Sequence, residues 1–100
     1  MNDVIAADPD NVDALAFRAS AYRYVDALEL ALEDANRALR VDPDNTAALL
    51  ERGNIHQTNG ERAAARQDWL AAIQLDPSSP AAVTARANIE KLDVKVEAFP

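Results

Sequence analysis

Three prolines set the frame for this chain. Pro9, Pro43 and Pro77 each follow an aspartate, in ADPDN (7–11), VDPDN (41–45) and LDPSS (75–79), and successive prolines stand 34 residues apart. Proline has no N–H to donate and bars the residue before it from the helical region, so each Asp-Pro stops a helix and forces a turn. The residues that follow, Asp10/Asn11, Asp44/Asn45 and Ser78/Ser79, offer side-chain oxygens that can cap a new helix. A chain that stops, turns and restarts at a fixed interval is an array of like units.

The register extends well beyond the turn. At the 34-residue offset Asp8, Asp42 and Asp76 align, as do Asn11 and Asn45, and Ala14, Ala48 and Ala82. Leu15, Leu49 and Val83 align next, and Arg18, Arg52 and Arg86 are identical. Ala31 matches Ala65, Asp34 matches Asp68, Ala38 matches Ala72, and Leu39 matches Ile73. Within each unit the apolar spacing is helical: Leu15, Ala19 and Tyr22, then Leu49, Gly53 and His56, follow i, i+4, i+7. A second stripe follows in each, Leu28, Ala31, Leu32, Ala35, Ala38 and Leu39, matched by Ala65, Trp69, Ala72 and Ile73. Asn59-Gly60 ends the first helix of the second unit, with Gly60 suited to a left-handed cap. An Asn-Gly pair can also turn a β-hairpin, but no strand pattern flanks this one.

Composition narrows the function. The chain has 17 acidic and 10 basic residues, a formal net charge of −7, which repels phosphate backbones and anionic lipid; neither nucleic acid nor a membrane surface is expected as a partner. Apolar residues make up 49%, but many are alanine, and with only 2 Phe, 2 Tyr and 1 Trp the chain favours closely packed helices over a sheet. It has no cysteine, so disulfides and thiolate metal sites are excluded. The N-terminal MNDVIAADPD has acidic residues where a secretory signal has basic ones, and no run approaches the ~18 apolar residues of a membrane span. These features read as soluble, and as cytoplasmic in preference to periplasmic or secreted.

On these residues the chain resembles the tetratricopeptide repeat family, whose units are 34-residue helix-turn-helix modules. The family pattern runs from a large residue through small ones to an aromatic, then alanine, aromatic, alanine and proline. Here Leu15, Ala19, Tyr22, Ala31, Ala35, Ala38 and Pro43 stand in those places, and then Leu49, Gly53, His56, Ala65, Trp69, Ala72 and Pro77. His56 replaces an aromatic, Ala35 a bulky residue, and arginine stands where leucine is usual. The resemblance implies an all-α, right-handed superhelical solenoid of antiparallel hairpins with about five helices. Repeats are expected at 12–45 and 46–79 and a C-terminal capping helix at 80–92. Residues 1–11 read as the end of a truncated preceding repeat or a frayed N-terminus. Residues 93–100 read as a tail, disordered rather than paired as a strand despite alternating Val94, Val96 and Ala98.

Catalytic constellations are nearly absent, and no enzyme activity, metal or cofactor is expected. His56 is the only histidine and falls in a slot facing the partner helix. A calcium loop needs glycine at its sixth place and glutamate at its twelfth, whereas counting from Asp8 those places hold Asp13 and Ala19. Gly53 and Gly60 are too few for a phosphate loop, and Ser20, Ser78 and Ser79 have no histidine placed to activate them. Trp69 falls in the family's buried aromatic slot, which implies core packing. Arg18 and Arg52 are each followed 16 residues later by an aspartate, Asp34 and Asp68, which predicts an ion pair across each hairpin. An arginine ladder for an acidic ligand is the competing reading.

The family's first helices line a groove that holds a partner peptide or helix. The face left after the packing stripe gives Asp13, Ala16, Phe17, Ser20, Arg23 and Tyr24, then Ala47, Leu50, Glu51, Asn54, Gln57 and Thr58, then Ala81, Thr84, Ala85, Asn88, Lys91 and Leu92. Of these, Phe17, Ser20, Arg23, Tyr24, Leu50, Asn54, Gln57 and Asn88 are the leading groove candidates. Ser20, Asn54 and Asn88 recur at the repeat interval, and asparagine in this row resembles the family's contact to peptide backbone. Phe17 and Tyr24 lie seven apart on one face outside the packing stripe, as a binding surface or as a surface for a preceding unit or a second copy. One subclass of the family grips the C-terminal carboxylate of chaperones with lysine, asparagine and arginine; here those lysine and arginine places hold Ala16, Ala81 and Ala85, and an asparagine place holds Glu51. The expected function is therefore a non-catalytic protein-protein interaction scaffold that takes a peptide with aliphatic anchors. The alternatives are self-association through the open N-terminal face, giving a homo-oligomer, or a non-catalytic appendage of a larger protein.

Overall fold

Each Asp-Pro turn solves the same problem of unpaired backbone in the same way. Asp42 Oδ1 accepts from Asp44 N–H at 3.2 Å, and Asn45 Oδ1 accepts from Ala48 N–H at 2.8 Å. The first turn repeats this, with Asp8 to Asp10 N–H at 3.3 Å and Asn11 to Ala14 N–H at 3.0 Å. In the third, Asp76 accepts from Ser78 N–H and the Ser79 hydroxyl from Ala82 N–H. Of each candidate capping pair, the second residue is the cap, because it immediately precedes the new helix and its side-chain oxygen accepts from the N–H three residues on.

In the computed structural model, which describes residues 2–97, these turns separate six helices. They are α1 (Asn2–Ala7), α2 (Val12–Tyr24), α3 (Leu28–Val41), α4 (Thr46–Thr58), α5 (Arg62–Leu75) and α6 (Pro80–Glu97). The sixth, beyond the five expected, is α1, whose Ile5 packs with Leu15 and Leu39. It stands to α2 as α3 stands to α4: Arg18 reaches Asn2 Oδ1 at 3.4 Å as Arg52 reaches Asn36 Oδ1 at 3.1 Å, each across 16 residues. The C-terminal end also differs from expectation. α6 runs through Val94 and Val96 to Glu97 where a tail was expected, since no glycine or proline interrupts it and Asp93 pairs with Arg66. Ala98, the last position of the supposed alternation, lies outside the described residues.

Within each hairpin the same pair of backbone bonds closes the turn. Ala27 N–H reaches Tyr22 O at 2.9 Å and Asp26 N–H reaches Arg23 O at 3.0 Å; Glu61 to His56 O and Gly60 to Gln57 O repeat the pattern. This 6→1, 5→2 pair needs a left-handed residue after the helix. Gly60 supplies it at φ 81°, and in the first hairpin Asp26 is held there at φ 62°.

Helices α2/α3 and α4/α5 pack as antiparallel hairpins, and α6 lies on α5 and α4. Among the described residues α2 approaches α4 and α4 approaches α6 closely, whereas the backbones of α3 and α5 stay farther apart. The row of first helices is thus the tight edge of the stack, so the row bends toward that side. The body is elongated, 52 × 29 × 17 Å. Small residues allow the tight edge: Ala14, Ala19, Ala48, Ala82 and Ala85 are buried on it. The packing stripe differs from expectation at one position per unit. Tyr22 and His56 are only half-buried, while Ile55 sits between units, packed against Ala19, Ala31 and Ala35.

Candidate functional site

Each hairpin is pinned by a bidentate ion pair between its two helices. Arg18 donates to Asp34 through Nε at 2.7 Å and Nη2 at 2.8 Å, and Arg52 donates to Asp68 through the same two nitrogens at 2.8 Å each. The hydrogen bond to the aspartate raises the pKa of each guanidinium above its ordinary range, so both stay charged. Asp34 and Asp68 are buried, and with both oxygens engaged neither is offered to a ligand. Arg86, which has no aspartate 16 residues on, donates instead to Pro77 O at 2.8 Å.

The bent side carries two clefts. The first, of about 350 Å³, lies between α2 and α4 and is lined by Asp13, Ala16, Phe17, Ser20, Ala47, Leu50 and Glu51. Its surface is mostly apolar, and Phe17 stands 69% exposed at its edge. The second, also about 350 Å³, lies between α4 and α6 and brings together Arg23, Asn54, Gln57, Thr58, Trp69, Asn88, Lys91 and Leu92. Of the leading groove candidates, Phe17, Ser20 and Leu50 therefore share the first cleft, and Arg23, Asn54, Gln57 and Asn88 share the second. Tyr24 lines neither; 79% exposed, it lies beneath Arg23, whose guanidinium carbon is 4.8 Å from the ring centre.

Two features of the face were not legible as spacing. Arg23 crosses to the next unit and donates to Glu51, Nε to Oε2 at 2.5 Å, which raises its pKa and keeps it charged. Glu51, expected on the open face, is thus buried under a neighbouring helix. Ala81, Ala85 and Leu92 are buried likewise, because α6 lies closely on α5 and α4. The second feature is a chain of amides. Trp69, 2% exposed in the core, donates Nε1–H to Asn54 Oδ1 at 3.2 Å, and Asn88 Nδ2 donates to the same oxygen at 3.2 Å. An indole can only donate, so Asn54 must turn its oxygen inward and leave its NH₂ on the cleft side. The same logic leaves Asn88 Oδ1 as an acceptor. The cleft floor therefore offers a donor and an acceptor side by side, which suits the C=O and N–H of an extended peptide.

His56 is engaged at both ring nitrogens, with Glu61 Oε1 3.1 Å from Nδ1 and Asp68 Oδ2 3.6 Å from Nε2. Among the described residues no group of three or more His, Asp or Glu is placed to hold a metal ion. No helix among them is long and apolar enough to cross a membrane.

No protein-family profile and no curated protein sequence matches the chain. Solved structures do. The second TPR domain of human RPAP3, in complex with the HSP70 peptide SGPTIEEVD, is 32% identical over 86% of this chain and 72% of that one, with a TM-score of 0.71. The first TPR domain of Spaghetti (RPAP3), bound to the HSP90 peptide SRMEEVD, has a TM-score of 0.81 at 24% identity, covering 96% of this chain and 74% of that one. The Arabidopsis OM64 TPR domain has a TM-score of 0.77 at 24% identity, covering 90% and 74%.

Proposed function

Because the chain belongs to the tetratricopeptide repeat family, we propose that it is a non-catalytic interaction module that holds a segment of a partner protein along the α2–α4–α6 face. The observation that carries this reading is that α4 lines two unlike clefts, one shared with α2 and one with α6. Apolar side chains at Phe17 and Leu50 open the first, and the Asn54–Asn88 amide pair floors the second. An extended segment laid across both would bury an aliphatic side chain in one and pair its backbone in the other. The similar RPAP3 domains, in complex with HSP70 and HSP90 peptides, support a peptide as the occupant.

The test is a random peptide library displayed on phage and selected on the parent chain, with a Leu50→Glu/Asn54→Ala variant as counter-selection after both are shown to be equally helical. Peptides retained by the parent and lost by the variant would establish the face as the working surface. Peptides retained equally would place the working surface elsewhere.

A second reading, self-association at the N-terminal end, draws on the exposure of Val4 on α1, Val25 after α2 and Leu30 on α3. Sedimentation across a hundredfold concentration range decides it, since a Val4→Asp/Leu30→Asp variant would stay monomeric where the parent does not.

A further inference from the structure

Resting on the reading just given, we infer that the α2–α4 cleft selects a segment carrying an aliphatic side chain beside a lysine or arginine, and disfavours acidic peptides of the kind that the similar RPAP3 domains hold. The apolar part of the argument is the lining of Ala16, Phe17, Ala47 and Leu50, which offers an aliphatic side chain contact and nothing to hydrogen-bond. The charged part is Asp13 at the same cleft, exposed and in no ion pair among the described residues.

Among the described residues no cation lines this cleft, and the one that pairs with its Glu51 does not offset Asp13. Arg23 spends Nε and Nη2 on Glu51 and stacks its guanidinium on Tyr24, so it serves to neutralise Glu51 rather than to receive an incoming carboxylate. Lys91 belongs to the other cleft. An acidic segment over Leu50 would therefore meet Asp13 with no cation to balance it. A basic one would gain an ion pair there, and its approach would be favoured by the net charge of −7. The pair is solvent-exposed, so its effect is selectivity of modest size and strong salt dependence.

Three fluorescein-labelled probes test this by polarisation: the amides SGPTIKKV and SGPTIEEV, with identical aliphatic residues and opposite charge, and the free acid SGPTIEEVD. The expected result is that the lysine probe binds about fivefold or more tightly than either acidic probe at low salt. That preference shrinks in roughly 1 M salt, where screening acts within about 3 Å. Asp13→Asn removes the preference and Asp13→Lys reverses it, with circular dichroism confirming that both variants fold. If an acidic probe binds as well or better, and Leu50→Glu abolishes that binding, the charge inference is overturned while the groove reading stands. If no probe binds at millimolar concentration, or Leu50→Glu leaves binding unchanged, both fail.

Discussion

Gly53 and Trp69 occupy the helix crossing that Ala19 and Ala35 occupy one repeat earlier. A β-carbon on Gly53 would sit 2.5 Å from Trp69 Cδ1, so the indole would have to move, and 3.2 Å from Ala65 O, a tight contact that a small shift relieves. Gly53→Ala is therefore expected to lower stability by about 1–3 kcal/mol despite alanine's better helix propensity. In a Trp69→Ala background the same change should be neutral or favourable, and a double-mutant cycle by urea unfolding measures the difference. Asp26 presents the opposite case. Held at φ 62° where the second hairpin has Gly60, it carries strain that glycine would not. Asp26→Gly is expected to raise stability by about 0.5–1 kcal/mol, visible as a higher urea midpoint at unchanged slope.

Between elements, buried charge fixes each hairpin's geometry. Among the described residues, Arg52→Ala would leave the buried Asp68 with only His56 Nε2, 3.6 Å away, as partner. A loss of about 3 kcal/mol is expected, largely recovered by adding Asp68→Asn, as a four-way cycle would show. The α4–α5 turn adds a pH-sensitive link. Hydrogen bonds from Asn59 and then His56 lower the pKa of Glu61 from its ordinary 4.5. A group whose pKa is depressed on folding contributes stability above its unfolded value and loses it as pH falls through the folded one. Stability should thus decline below about pH 4.5, and Glu61→Gln should flatten that part of the decline; unfolding curves from pH 6 to 3 compare the two.

At the scale of the whole molecule, the stack is held by nearest neighbours. Ile55, 2% exposed, sits against Ala19, Ala31 and Ala35 where Ala35 replaces a bulky residue, so the next unit supplies the volume its own hairpin lacks. Ile89, one repeat on, packs beside Trp69 with Ala85 and Leu92. Ile55→Ala is expected to cost about 2–5 kcal/mol and to weaken the coupling between the hairpins. Amide exchange would then accelerate in α2 and α3 more than in α5 and α6, whereas Ile89→Ala would give the reverse.

The sequence by itself determined the periodic features. The Asp-Pro interval dictated where helices stop, the alanine stripes which faces meet, and the 16-residue spacing placed each arginine opposite an aspartate across its hairpin. All are local or repeat every unit, so one chain laid on itself displays them. What crosses from unit to unit without repeating was decided only by tertiary structure. Arg23 meets Glu51 once, because the equivalent partner positions hold Gln57 and Ala85. Ile55 falls outside the i, i+4, i+7 stripe because the surface it fills belongs to the preceding hairpin. Trp69 reads as a core residue, yet its Nε1–H also sets the orientation of Asn54, since only the folded hairpin brings a donor-only indole against that amide.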